Sequence, residues 1–472
     1  MPGVHISPFS GQWYPQRPAE LTALLEEVFA NSERRLGPWV LPRAAGFVVP
    51  HAGLMYSGTV AAAAYRHLRE QPPARIVVLG FSHRMGHAGI AVPDIGSIET
   101  PLGEVPVDRG VVEKLCASPP FHLVAESRVC DHSVEIQLPL LQHAAANVPV
   151  TPLYVGHIDD AGRLDAARTL AELAAGGAVF LVSSDFTHYG PEFYYRPFPC
   201  DEFTPDRLRV LDSDAMENTG SLDAALFLEF LDETGATLCG RAPIALWLET
   251  VRLLAGEEIF QEALDYQTSG DILDDYRNSV SYAALGYFPA GAFELGAEDR
   301  DLLLASARNT LQRLCETSER QPVPPPRITP GLTRKAAVFV SLHQDGRLLG
   351  CVGTPGERLP LAQAVPEMTL AAALDDPRFP SVLGVEGEIR VEISVLSPMR
   401  KLRDASGFCV NRHGAYLRVG EHSSLLLPQV AAGRGWAAEQ FLEALSRKAG
   451  LGPKAWQAPE ARLSVFRAQV FA

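Results

Sequence analysis

Short, unbroken apolar runs punctuate the first half of the chain, and several end in a turn followed by a residue able to do chemistry. Ala45 to Val49 runs into Pro50-His51, and Arg75 to Leu79 into Gly80 and then Ser82-His83. Thr151 to Val155 runs into Gly156-His157, and Ala178 to Val182 into Ser183-Ser184-Asp185. None of these runs alternates with polar residues, the pattern of a strand buried on both faces. Between them, Glu20 to Arg35, Gly58 to Glu70 and Leu164 to Ala175 place apolar residues at helical spacing. Ser133 to Ala146 adds a helix interrupted early by Pro139. Strand alternating with helix predicts an α/β domain with a central, largely parallel sheet flanked by helices. Val280 to Phe288 reads as its closing strand.

A stretch rich in Gly, Ala and Pro, from Pro289 to Gly296, then breaks the pattern. An amphipathic helix is expected from Glu298 to Ser318, followed by the proline-rich segment Gln321 to Pro330. Beyond it, alternating strands (Ala336 to Leu342, Glu388 to Leu396) and short helices predict a smaller α+β domain. The expected domains are residues 1–290 and 296–472. A chain of 472 residues exceeds what one hydrophobic core usually serves, which supports two.

Composition narrows the classes of function. The formal charge of −15 argues against nucleic acid as a general partner, because phosphate binding needs a basic face. Seven cysteines at irregular spacing, with no CxxC pair, do not form a secreted disulfide framework, so a reduced, cytoplasmic setting is expected. The N-terminal MPGVHISPFSGQWYPQ lacks the basic and apolar regions of a signal peptide, and no apolar run is long enough to span a bilayer; no membrane partner is expected.

In an open α/β sheet, ligands gather outside the carboxyl ends of the strands. His51, His83 and the Asp185/His188 pair are expected to converge there, and two imidazoles from separate strand ends are a common base for a transition-metal site. Cys239, in TLCGRAPIALWLETV, precedes a helix whose first turn accepts Pro243. The helix dipole and Arg241 are expected to favour its thiolate, the form that binds metal. His132 and Glu135, spaced i, i+3 in CDHSVEIQLPLLQ, share a helix face and are candidates to orient an imidazole; alternatively Asp131 or Ser133 simply starts that helix. Cys351, between Gly350 and Gly353, lies where backbone can approach a ligand closely, or forms a tight turn with a buried thiol; His413 is its one candidate activator.

The segments SGQWYP, VVPHAGLMYSG, VVLGFSH, ETPLGEVPVD, DHSVEIQLPLLQ, FLVSSDFTHYG, LCGRAPI and SVSYAALGYF together resemble the Memo family, in the family's order, over residues 5–288. Memo proteins resemble the class III extradiol dioxygenases, non-haem iron enzymes that open catechol rings. The resemblance implies metal ligation by His51, His83 and Cys239, with His188 as acid/base and Asp185 beside it. Leu54 stands where the family often has Tyr, and Arg84 where it often has a second His. The segments GRLLGCVGT, LAAALDDPRFPSV, VEISVLSPMRKL, HGAYLRVG and SLLLPQVAAGRGWAAEQFLEALSRKAGL resemble the AMMECR family over residues 296–471, with Leu349 where that family usually has Arg. The pairing resembles a microbial system that also contains a radical-SAM protein, which is the partner it implies.

Three functions follow as expectations. The first is a redox enzyme of the extradiol-dioxygenase kind, holding Fe(II) and acting on a small molecule, with His188 as general acid/base and Asp185 orienting it. The second is a metal- or peptide-binding or scaffold module without turnover, acting with the radical-SAM partner. The third is a zinc-dependent hydrolase, since two imidazoles and one thiolate suit Zn²⁺. Copper is a further alternative for the ion. Catechol-cleaving iron sites usually use two histidines and a carboxylate, so the thiolate makes this set softer.

Overall fold

Four of the apolar runs become adjacent strands, in the spatial order Gly46–Val49, Ala178–Ser183, Arg75–Gly80 and Val150–Val155. The computed structural model describes residues 3–254, 256, 258–356 and 359–472. By its contacts the chain divides into two compact units, Met1–Leu36 with Val40–Pro289, and Gly37–Trp39 with Ala290–Ala472.

In the first unit these four strands run parallel and almost every residue in them is buried. The sheet as a whole is mixed, which corrects the expected largely parallel one. Ser279–Pro289 lies antiparallel to Gly46–Val49, and Ile259–Thr268 and His188–Tyr189 lie antiparallel to Ser279–Pro289. On the other side Ile90–Pro93 is antiparallel to Val150–Val155, and Phe121–Val124 extends the sheet in parallel. The physical reason is connection length. Ile259–Thr268 and Ser279–Pro289 are joined by a short link holding only the helix Ser269–Leu273, too short for the crossover that parallel pairing needs.

Helices flank the sheet. Pro18–Leu36 packs on Leu54–Glu70, and Asp160–Ala175 on Arg241–Arg252. Close packing is visible at Gly46, where a Cβ would lie 2.8 Å from Trp247 of the latter helix and 2.8 Å from the Phe180 carbonyl. The single helix expected from Ser133 to Ala146 is two, His132–Glu135 and Gln137–Ala144. Pro139 has no N–H for the Glu135 carbonyl and its ring would collide with that carbonyl, so the first helix stops there. The second begins with Pro139 in its first turn.

The second unit is α+β, with two four-stranded antiparallel sheets. Helices Ala297–Thr317 and Leu361–Leu374 pack on one another beside the first of them. The proline-rich segment lies along Ala297–Thr317, where the Ser306 hydroxyl donates to the Val323 carbonyl and the Val323 N–H donates to Thr310 Oγ1. Among the described residues no helix is long and apolar enough to cross a membrane.

Candidate metal centre

Because the parallel strands are neighbours, their carboxyl ends deliver side chains to one place. His51 follows Gly46–Val49 and is buried; its Nδ1 lies 2.9 Å from Ser183 Oγ, at the end of the adjacent strand. Its backbone N–H donates to Asp185 Oδ1 at 2.7 Å, which fixes the Pro50-His51 turn. With Nδ1 engaged, Nε2 is buried and has no hydrogen-bond partner.

His83, past the end of Arg75–Gly80, is held the same way. Its N–H donates to Asp131 Oδ2 at 3.0 Å, and its Nδ1–H donates to Asp131 Oδ1 at 2.8 Å. His132 stacks on His83, with ring centroids 4.2 Å apart, and Trp13 stacks on His132 at 4.0 Å. Asp131 also accepts the Ser133 N–H, so one carboxylate both starts the helix and aims the imidazole. Burial alone would raise the Asp131 pKa, but the hydrogen bonds from His83 and Ser133 outweigh it and hold the group down at about 2.

Cys239 precedes the helix Arg241–Arg252 at the cap residue Gly240, whose N–H donates to Ser184 Oγ. The thiolate expected there is not what the surroundings favour. Burial and the nearby Asp185 push the thiol well above its ordinary value, and Arg241 turns away to pair with Asp232 at 2.7 Å. A dipole at a helix start is a partial charge, and burial outweighs it. A coordinated cation would reverse that balance, since a ligating thiol is deprotonated.

One ligand atom each from His51, His83 and Cys239 lies within 4.8 Å of the others. Burial, reinforced by the neighbouring His83 and His188, lowers His51 to about 3, so its ring is neutral, as a ligand must be. The buried, unpartnered Nε2 of His51 and the pinned Nδ1 of His83 fit a transition ion; both rings are oriented by their far nitrogens, the usual device in metal sites.

His188 borders this cluster. Its Nε2 is 3.5 Å from Cys239 Sγ, while its Nδ1 lies 3.0 Å from the Phe186 carbonyl and 3.2 Å from that of Thr237. Backbone carbonyls therefore orient His188, a role the sequence reading gave to Asp185. The Asp185 carboxyl, pushed upward by burial, instead caps the His51 turn, with Oδ2 4.0 Å from His51 Nε2. A cavity of about 820 Å³ reaches Cys239, lined among others by Phe81, Met85, Ile158 and Pro243.

The other candidates separate. His132 joins the centre, but Glu135 turns to His5, at 3.0 Å from its Nε2. Glu135 thus orients an imidazole, though not one of the centre. Cys351 stands in no His/Cys/Asp/Glu cluster among the described residues. Its N–H donates to Asp376 and its carbonyl accepts from Arg378, while His413 accepts the N–H of Cys409. The backbone that Gly350 admits is the chain's own: a Cβ there would fall 2.0 Å from the Ala372 carbonyl oxygen. Asp131 was missed as the group that aims His83, because CDHS carries only a helix-start signal. Trp13 and Ser183 left no chemical signal at all.

The sequence profile of the family described as Memo-like protein matches residues 7–286. The chain belongs to the Memo-like family. All three residues of the cluster lie in this Memo-like domain, and residues 304–471 match the AMMECR1 family, so both domains occur in one chain. The Memo-like part is similar to a MEMO1 family protein of Methanothermobacter thermautotrophicus, 34% identical over 288 residues, covering 58% of this chain and 97% of that protein. It is also similar to the memo-1 homolog of Caenorhabditis elegans, 28% identical, covering 58% of this chain and 80% of the other. Among solved structures, an uncharacterized protein of Pyrococcus horikoshii is 34% identical, with a TM-score of 0.34, covering 36% of this chain and 88% of that one.

Proposed function

We propose that the Memo-like domain is a metal-dependent redox enzyme related to extradiol dioxygenases, holding Fe(II) on His51, His83 and Cys239 and acting on a small molecule. The observation that carries this reading is the pair of imidazoles whose Nδ1 atoms are engaged by Ser183 and Asp131 within 4.8 Å of a cysteine sulfur. Bound there, the ion would supply Lewis-acid and one-electron redox chemistry at the positions that three protein ligands leave open.

The chain's own residues do the rest. His188, with Nδ1 on two carbonyls, presents Nε2 beside Cys239 and is placed to take a proton from a bound hydroxyl and return it later. Asp185 holds the His51 turn, and its buried carboxyl is a second proton-holding group. Phe81, Met85 and Ile158 give the cavity an apolar wall that suits an aromatic ring. The reduced, cytoplasmic setting belongs to this reading, supported by free cysteines that include Cys239. So does a radical-SAM partner, supported by the fused AMMECR1 domain.

The test is oxygen uptake by anaerobically prepared, iron-loaded protein across a panel of aromatic diols. Uptake stoichiometric with substrate loss supports the reading, and inert protein across the panel contradicts it. The thiolate favours zinc hydrolysis as the second reading, because two imidazoles and one sulfur with an open position suit Zn²⁺ and an activated water; ester hydrolysis by zinc-loaded protein without oxygen uptake would select it.

A further inference from the structure

The Memo-like domain holds a second cluster of side chains able to ligate a metal. His5, on the strand Gly3–Ile6, Cys130, just past the short helix Glu126–Val129, and Glu135, on His132–Glu135, place one ligand atom each within 4.8 Å of one another. All three are buried, Glu135 completely. His5 Nε2 is 3.0 Å from Glu135 Oε1, and Glu126 Oε2 lies 3.8 Å from His5 Nδ1. We propose that His5, Cys130 and Glu135 form a second divalent-cation site, of the zinc-like N, S, O type, which fastens the N-terminal strand to the segment that aims His83.

Two observations carry this beyond a buried ion pair. Glu135 Oε2 is fully buried and has no hydrogen-bond partner, although an ionised carboxylate oxygen in a dry interior needs one. A His–Glu pair satisfies only Oε1. A cation between the three side chains engages the carboxylate through either oxygen and places an imidazole, a thiolate and a carboxylate around it, the donor types zinc takes. Charge also balances. With an ion, neutral His5, the Cys130 thiolate and the Glu135 carboxylate offset two positive charges. Binding through a thiolate releases the Cys130 proton.

The place matters because Cys130 immediately precedes Asp131, whose carboxylate holds both the N–H and the Nδ1–H of His83. Glu135 ends the same helical turn that carries His132. An ion on this cluster fixes that turn, a supporting role distinct from chemistry at the first centre.

Cobalt(II) titration of the metal-free full-length Cys239→Ser chain tests the proposal, because that variant removes the sulfur of the first centre. The expected result is a thiolate-to-cobalt charge-transfer band saturating at one equivalent, which the Cys130→Ser/Cys239→Ser double variant lacks. His5→Gln in the Cys239→Ser background should weaken cobalt binding by at least about tenfold. Circular dichroism identifies any variant that has failed to fold, and His5→Gln and Cys130→Ser are independent of each other. Absence of the band in the folded Cys239→Ser chain, or its persistence after Cys130→Ser, overturns the proposal and leaves His5 and Glu135 as an ion pair.

Discussion

His83 Nδ1 and Asp131 Oδ1 lie 2.8 Å apart although 48 residues separate them in the chain. The same carboxylate caps the turn that follows it, through the Ser133 N–H. One group thus sets both where the helix begins and which nitrogen of His83 faces Cys239. Asp131→Asn removes the charge but keeps the shape, and metal affinity at the first centre should fall by about 10–100-fold. Competition against a chromophoric chelator measures it; unchanged affinity would show that His83 needs no anionic partner.

His188 touches Cys239 through Nε2 and is anchored by carbonyls, so it is separable from metal retention. His188→Gln should keep metal content at the wild-type level and lower turnover by about 10²–10⁴-fold, the range for a lost general acid/base. Paired metal analysis and oxygen-uptake rates check this, and joint loss of metal and activity would place His188 among the ligands instead.

Gly240 is the cap residue between Cys239 and its helix, and a Cβ there would fall 2.4 Å from Ser184 Cβ and 2.8 Å from the Ser183 carbonyl oxygen. Neither neighbour is a flexible chain end. Gly240→Ala should therefore cost about 1–3 kcal/mol of stability and displace Cys239 enough to weaken metal binding. Chemical unfolding and chelator competition read the two effects, and a variant as stable as wild type would mean that the helix start yields freely.

Much of this centre was legible in the sequence. His51 and His83 each follow a buried strand, and their strands, separated in space only by Ala178–Ser183, bring their carboxyl ends together. The state of Cys239 was not legible, because a helix start is visible locally whereas burial and the approach of Asp185 are tertiary. The partner of Glu135 is His5, 130 residues away, and no local pattern points to it. The strand Ile259–Thr268 escaped detection because a register shift between Ala263 and Asp265 breaks its alternation. Ile90–Pro93 and Phe121–Val124, at four residues each, are too short to show a period.

Acid should weaken the metal-free protein through its buried imidazoles. Burial lowers His67, away from the centre, to about 4, while an unfolded histidine takes up its proton near pH 6.5, about the ordinary value. Between those values the unfolded chain binds more protons, so stability drops as the pH is lowered, by at most about 1.4 kcal/mol per pH unit for one group. His51, lowered to about 3, acts in the same direction. His67→Gln should flatten the slope of unfolding free energy against pH in this window, and an unaltered slope would mean that His67 is already protonated when folded.

The most direct test is elemental analysis of the full chain purified without oxygen, beside His51→Ala and Cys239→Ser. The proposed function predicts that each variant lacks one equivalent of metal that the wild type holds, and that this equivalent is iron. Equal metal content in all three proteins would contradict the centre itself, and a missing equivalent of zinc would contradict its iron.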